Sequence, residues 1–549
     1  MEGSSVAFQV SQWSQAGSAE SHSDSASCDV YPLKKENLEL RCDRGYWKKQ
    51  HQRAREREEQ LKGEVRHLKA RIRYLERELY GEKTEKSSGG SERSSEEEKV
   101  DEKKPRGHQP GAPGHGRRNL DHLPVVEEEY ELGEEESRCP LCGLPYEPLP
   151  GREDSEQVEV EVRAYRRKIR RRRYRRTCRC EGIPRTITAA GPSKLIPKGR
   201  LGISIWAMIL VEKYLYQRPI ARILESLKGY GLDIAAGTVG DGLKRLAGLF
   251  APVQERIGEK SREGEWWHAD ETRWKVFELP EGKLSHRWYL WVFISPQAVL
   301  YILDPGRSAE VVERHLGEIE KGILCVDRYA AYKKFAKDRD GVLLAFCWTH
   351  QRRDFLKVAN GHPELEQWAL EWVHRIGGVF DLNNRRVAHE IGSEGFQEAD
   401  KRVRQALEEM ENEREQELGR KRMDPECVAV LKSMKEHWEG LGVFVEHPEI
   451  PMDNSEAERK MRGPAVGRKN YYGSGRIWSG QFTASLFSVF QTLLKWEVNP
   501  RQWVGEYLKA CAENGGRAPE DSAAFLPWNM AAEDRERMRT VHVRGHPVG

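Results

Sequence analysis

Three acidic motifs follow one another in the second half of the chain: Asp270 in WWHADET, Asp327 in CVDRYAAY, and DNSEAER, where Glu456 and Glu458 both qualify. Carboxylates converging from separate elements hold two hard divalent cations about 3.5–4 Å apart, the geometry that cuts and joins phosphodiester bonds. Each acid also has a plainer reading. Asp270 lies in an aromatic, strand-like run, where a buried carboxylate needs a cation or donors but a surface one needs neither. Asp327 ends the apolar run GILCV abruptly, and strand ends are where α/β folds place chemistry. It equally suits the start of a helix over 330–335. Glu446 and Glu449 stand nearby. Asp453 and Glu456 have capping-box spacing, and Glu458 precedes Arg462 by one helical turn, as in a simple ion pair. Spacing alone does not separate Glu456 from Glu458.

The elements that must position these acids read as α/β. Strands are expected at 265–276, 287–295, 298–303, 322–327 and 342–348, with a helix at 307–319. The first three strands in a row predict an antiparallel meander, joined by later parallel strands. Residues 362–442 are charged and helical, far more than an α/β connection needs, and read as an insertion. A helix over 453–463 then runs into a basic loop, so that Arg459, Arg462, Arg468 and Lys469 bring phosphates beside the acids. Helices follow at 478–496 and 500–513. His350, Arg352 and Arg353 stand where DNA would pass, and His350 receives no catalytic role.

Upstream, Cys139 and Cys142 (CPLCG) and Cys178 and Cys180 (CRC) make a four-thiolate set for one tetrahedral zinc, with Gly143 permitting the tight turn. Between them, after Val158, Val160 and Val162, residues 163–176 hold ten Lys and Arg among fourteen. Such density repels itself and calls for a polyanion. A zinc-held β-hairpin would present Arg170, Arg171, Arg172, Arg173, Arg175 and Arg176 to phosphates, with Tyr165 and Tyr174 stacking. Residues 195–255 read as helices with helix–turn–helix character at 229–238. From Leu33 a heptad runs weakly through Asn37, Leu40, Arg44, Trp47, His51, Ala54 and Glu58. It then strengthens at Leu61, Val65, Leu68, Ile72, Leu75 and Leu79, a coiled-coil seam on an otherwise charged helix.

The 549 residues are 38% hydrophobic and 33% charged, so folded domains are diluted by polar segments. The net charge of +3 conceals acidic stretches at 95–103 and 126–136 beside the basic strip. The most apolar stretch, 203–215, carries Glu212 and Lys213 and reads as a buried helix rather than a span. Of the ten cysteines, four fall in two close pairs and six are scattered, which suits a reducing cytosol with one metal site.

The chain resembles the DDE transposases of the insertion sequence 66 family. The resemblance rests on HADETRW (268–274), VDRYAAY (326–332), CWTHQRRDF (347–355), DNSEAERKMRGPAVGRKNYY (453–472), TASLFSVFQTLLKWEVNPRQWV (483–504) and LPW (526–528). LYGEKTEK (79–86), RGHQPGAPGH (106–115) and 196–222 match in order and spacing, so that it spans about 33–530. Arg328 departs from the family's usual glycine, and Glu82–Lys83 from its basic pair.

The resemblance implies Glu458 as the third acid and a ribonuclease-H-like core with two Mg²⁺ (or Mn²⁺) held by Asp270, Asp327 and Glu458. It also supports the structural zinc. The expected organisation is a tail (1–32), coiled coil (33–85), linker (86–119), zinc module (120–190), helical DNA-binding region (191–258), core (259–360 and 443–475), insertion (361–442), C-terminal helices (476–530) and tail (531–549). The expected partners are double-stranded DNA at element ends and target, a second copy through the coiled coil, and companion proteins of the same element. The expected location is the bacterial cytoplasm, at the nucleoid. Two rival readings are a DNA-binding regulator without catalysis and a metal nuclease without strand transfer.

Overall fold

The computed structural model describes residues 47–65 with a few positions around them, parts of 125–160, and 162–539 except 180 and 281–284. Two compact units divide the chain: 1–87 with 357–369, and 88–356 with 370–549. In the first, α1 (residues 47–65) is helical. Its heptad residues Leu61 and Val65 are exposed, and Ile72, Leu75 and Leu79 lie outside the described residues. So does the segment 86–119.

The second unit is mixed α/β. Its sheet has β3 (Trp266–Lys275), β4 (Arg287–Ile294), β5 (Val299–Asp304), β6 (Gly322–Val326) and β7 (Val342–Phe346), in the order β5-β4-β3-β6-β7. β3, β4 and β5 form an antiparallel meander; β6 and β7 add in parallel beyond β3. These strands fall within two residues of the sequence expectation, because each is an apolar or alternating run closed by polar residues.

Alternation divides the sheet into two faces. Trp267, Ala269, Trp291, Phe293, Leu324 and Val326 pack with α5 (Ala309–Leu316) and α6 (Ala330–Ala336). On the other face Trp274, Leu290, Val292, Val299 and Tyr301 share a core with α2 (Ile203–Leu210), α4 (Ala236–Arg262) and α13 (Ile477–Lys495). A π-turn (Val211–Leu215) and α3 (Ile220–Gly229) link α2 to α4. The region 191–258 thus contributes to the same core as the sheet.

The β5 edge is covered by α13. Ser488 and Thr492, one turn apart, use their hydroxyls on this strand: Thr492 accepts from the Val299 N–H at 3.0 Å and Ser488 from the Tyr301 N–H at 2.8 Å. Hydroxyls at that spacing satisfy strand groups that would otherwise template aggregation. Gly480 allows the close approach, since a Cβ there would come 2.4 Å from Leu303.

α7 (Trp348–Gly361) and a 3₁₀ turn (Pro363–Leu365) lead into α8 (Glu366–Val387), α9 (Glu394–Leu418), α10 (Pro425–Glu436) and α11 (Trp438–Glu446). This insertion is helical as expected, and α11 packs on β7, where Gly440 leaves room for Phe346. The chain ends in α14 (Pro500–Glu513), a 3₁₀ turn (Ser522–Phe525) and α15 (Ala532–Arg537).

α12 (Ser455–Tyr471) corrects one expectation: it runs on through Pro464, so Arg468 and Lys469 stand on a helix and not in a loop. Proline at 464 removes the N–H that would bond the Lys460 carbonyl. The Tyr301 hydroxyl donates to that carbonyl at 2.8 Å instead. Tyr301→Phe should therefore orphan a helix acceptor and lower stability by about 1–3 kcal/mol. A melting temperature equal to that of the parent would count against this account.

N-terminal to these helices, β1 (Arg173–Arg175) pairs antiparallel with β2 (Thr186–Thr188). Among the described residues Val158, Val160 and Val162 belong to no strand, and all three are exposed.

Candidate active site

Asp270 lies on β3, and Asp327 directly follows the neighbouring strand β6. The last paired residues of β3 and β6 are His268 and Cys325. Two residues further come Asp270, still on β3, and Asp327, the first residue past the end of β6, and strands of a sheet lie about 4.8 Å apart. Alternation puts both on the face of His268 and Cys325, away from Trp267 and Val326. Asp270 Oδ1 accepts the Glu271 N–H at 2.9 Å. Asp327 Oδ1 accepts the Tyr329 N–H at 2.9 Å, so it shapes the turn into α6, whose N-cap is Tyr329.

α12 is pinned along β3 at both ends. Asn454 donates from Nδ2 to the Ala269 carbonyl at 2.8 Å, and its Oδ1 lies 2.8 Å from His268 Nδ1. The first contact fixes the amide, so His268 Nδ1 is the donor in the second. At the far end Arg468 Nη1 donates to Thr272 Oγ1 at 2.9 Å and to the Arg273 carbonyl at 2.7 Å. The expected capping box of Asp453 and Glu456 is not formed. Asn454 is the N-cap, Asp453 accepts the Ser455 N–H, and Glu456 turns elsewhere.

Glu456 and Glu458 lie about 200° apart around the helix at 100° per residue. Glu456 meets Lys495 Nζ at 3.1 Å and His268 Nε2 at 3.8 Å. Burial raises its pKa, but the Lys495 charge outweighs this and leaves the carboxyl below its ordinary value. Glu458, one turn beyond Asn454, turns to α7. Arg353 Nη2 donates to its two oxygens at 2.7 and 2.9 Å, and His350 Nε2 stands 3.8 Å away. Its partner is thus Arg353 and not Arg462, which is exposed.

His350 links the acids more closely than sequence reasoning allowed. Burial and Arg353 push its pKa down, while the charges of both Glu458 and Asp327 pull it up. Its Nδ1 is buried without a hydrogen-bond partner. The signal was the CWTHQRRDF segment itself, which supplies His350 and Arg353 three residues apart on α7.

A second network backs the site from the other face. The Glu271 carboxylate accepts from Arg307 Nε at 2.8 Å and from the Tyr332 hydroxyl at 2.7 Å. Burial pushes its pKa up to about 7, against the pull of those donors. The Arg307 guanidinium lies 3.9 Å from the centre of the Tyr329 ring, in the turn that Asp327 shapes. Arg328, the departure noted above, points away from the acids. It donates to Gln351 Oε1 at 3.1 Å and Ser433 Oγ at 2.9 Å and pairs with Asp354, tying the loop to α7 and α10.

The donors suit magnesium, because all three are hard carboxylate oxygens. Among the described residues no three His, Cys, Asp or Glu side chains converge to hold a metal, and Arg353 provides the cation on Glu458.

Of the residues expected on DNA, Arg459, Arg462 and Lys469 are exposed on α12, while Arg468 is half-buried. Arg170, Arg171, Arg172, Arg173 and Arg175 are exposed on or beside the β1–β2 hairpin, and Arg176 is half-buried. Arg171 Nε donates to the Ala189 carbonyl at 2.6 Å and Arg176 Nη1 to the Ile183 carbonyl at 2.9 Å, so these two also brace the hairpin. Cys142 and Cys178 are exposed; Cys139 and Cys180 lie outside the described residues.

Comparison with known proteins identifies the family of the chain. The Transposase IS66 family matches residues 198–482, which take in β3 to β7, α12 and all three acids. The chain therefore belongs to the Transposase IS66 family, a family of transposase-type enzymes. It is 29% identical to y4jD, an uncharacterized protein of Sinorhizobium fredii, over 86% of this chain and 96% of that one. A second uncharacterized protein of that organism, y4qI, is 27% identical over 74% of this chain and 76% of its own length. No solved structure matches the chain. Among the described residues no helix is long and apolar enough to cross a membrane.

Proposed function

We propose that this chain is a DNA transposase that binds the ends of a mobile element, cuts them and joins them to target DNA at Asp270, Asp327 and Glu458. The observation that carries the reading is the register of β3 on β6. It brings Asp270 of β3 beside the end of the parallel strand β6, which Asp327 directly follows, with α12 pinned so that Glu458 follows one turn beyond the residue that contacts Ala269. The strand order and directions, three antiparallel then two parallel, support a ribonuclease-H-like core.

Asp270, Asp327 and Glu458 would hold two Mg²⁺ (or Mn²⁺), which when bound activate a water or a 3′ hydroxyl and stabilise the leaving oxygen. With a cation bound, Glu458 would give up its pair with Arg353, leaving that guanidinium, beside His350, to meet a phosphate. Glu271, Arg307 and Tyr329 fix the Asp327 turn from behind. The exposed arginines of α12 line the approach of the DNA backbone.

A zinc knuckle at Cys139, Cys142, Cys178 and Cys180 is part of the same reading. Gly143 has φ 75°, and the Tyr146 N–H bonds the Ser137 carbonyl at 2.8 Å, which sets Cys142 in a tight turn. Structural zinc supplies folding free energy directly. Cys142→Ser should lose one zinc per chain and loosen DNA binding; DNA-binding protein that carries no zinc on elemental analysis would end this part of the reading. The α1 helix, with Leu61 and Val65 exposed, pairs two protomers.

The test of function is a gel assay with a pre-cut 3′ end and a plasmid target. Joined products support a transposase. Cleavage without joining favours the metal nuclease, and neither activity favours the DNA-binding regulator.

A further inference from the structure

The π-turn Val211–Leu215 carries a lysine in an unusual setting. π-turns recur at functional positions. The Lys213 ammonium lies 4.0 Å from the centre of the Tyr471 ring and 5.2 Å from that of Tyr214. Lysines ordinarily extend the ammonium into water or pair it with a carboxylate. Lys213 is half-buried, and no acidic side chain among the described residues forms an ion pair with it. Burial lowers its pKa to about 8, with no opposing charge to restore it.

The backbone around it is fixed at some cost. Gln217, just beyond the turn, is buried with φ 58°, a left-handed conformation that persists only where surroundings enforce it. Three hydrogen bonds do so: Gln217 Nε2 to the Tyr214 carbonyl at 2.7 Å, Tyr471 hydroxyl to Gln217 Oε1 at 2.8 Å, and Asn470 Nδ2 to the Gln217 carbonyl at 2.8 Å. The end of α12 and the π-turn are thereby locked together around an unneutralised cation.

We propose that Lys213 binds a backbone phosphate of DNA, at the far end of a path that leads from Asp270 along β3 and passes Arg468. The proposal rests on the reading of the chain as a DNA-cutting enzyme. Arg468 is held on Thr272 and Arg273. The Tyr471 ring, under Lys213, meets Trp274 at 6.2 Å. From Asp270 to Trp274 is four residues of β3, about 13 Å at 3.3 Å per residue. That equals about four base steps at 3.4 Å, so a strand cut at Asp270 reaches Lys213 a few nucleotides away. Tyr216, three residues after the lysine, and Tyr472, next to Tyr471, are both exposed and offer stacking surfaces. A phosphate supplies the anion that the protein itself withholds.

The test uses the full chain with Lys213→Met and Lys213→Arg, and random-sequence duplex DNA as probe. One phosphate contact contributes about 0.9 to the slope of log K against log salt. The Lys213→Met variant should lose about that much slope and bind roughly tenfold less tightly at low salt, and Lys213→Arg should keep the slope. The melting temperature of Lys213→Met should equal or exceed the parent's, because an unpaired charge has gone. An unchanged slope overturns the proposal, the more plainly if the melting temperature falls, since the lysine is then structural. Inorganic phosphate at constant ionic strength is the second probe. If it stabilises the parent but not Lys213→Met while the DNA slope stays the same, the site takes a free anion and the DNA assignment falls. If the parent cleaves DNA through Asp270 while the Lys213 variants match it in slope, only this proposal fails. If the parent binds no DNA, the underlying reading fails as well.

Discussion

Asp270→Asn, Asp327→Asn and Glu458→Gln should each reduce strand cleavage about 10³-fold or more while leaving DNA binding intact. Three carboxylates acting on one pair of cations behave as a unit, so losing any one removes most of what all three supply. The folded chain should tolerate each change. Asp270 and Asp327 each use one oxygen to accept a backbone N–H, and an amide oxygen still accepts it. Glu458 is held by Arg353, partly exposed, so the cost of unpairing is moderated by water. Glu456→Gln is the control. Its carboxylate is committed to Lys495 on α13, and its loss should change cleavage by less than about tenfold. The measurement is product formation from a labelled duplex with Mg²⁺. If Glu456→Gln removes cleavage and Glu458→Gln does not, the third acid has been assigned to the wrong face of α12.

The choice between those two acids shows where reading the sequence stopped. The sheet was legible because each strand writes its own boundary: GILCV ends in Asp327, and RWYLWVFI is apolar to its last residue. The helical insertion was legible from composition. What stayed hidden depended on partners far along the chain. The helix expected over 453–463 continues through Pro464, and the donor that serves the Lys460 carbonyl comes from Tyr301, 159 positions before that lysine. Asp453 and Glu456 had the spacing of a capping box, yet Asn454 serves as the cap and spends its side chain on His268 and Ala269, which no local pattern announces. Glu458 had Arg462 at the right spacing, and pairs instead with Arg353 across 105 positions. Arg328 departs from the family's usual glycine, and the sequence names no partner for it. Its side chain reaches Ser433, in a helix that sequence separates from it by most of the insertion. For Glu456 and Glu458 local spacing named a plausible partner, and tertiary packing supplied a different one.

Neutralising Arg170, Arg171, Arg172 and Arg173 together to Gln should weaken DNA binding by orders of magnitude at moderate salt and flatten its salt dependence. Four phosphate contacts at 0.9 each remove about 3.6 from the slope of log K against log salt. The side chains stand exposed on and before β1, where like charges crowd one another in the absence of a polyanion. Because phosphate contacts set affinity and position but do not read bases, element ends and random duplex should lose affinity alike. One of the four has a second task. Arg171 also donates to the Ala189 carbonyl and lies against Gly191, so its removal alone should loosen the hairpin as well. The triple variant that spares Arg171 separates the two effects: it should retain the hairpin and still lose about 2.7 of slope, three contacts at 0.9. Binding measured from low to moderate salt on both kinds of duplex decides the matter. A quadruple variant that keeps its slope but no longer prefers element ends would make the strip a reader of base edges, and the phosphate-clamp account would have to go.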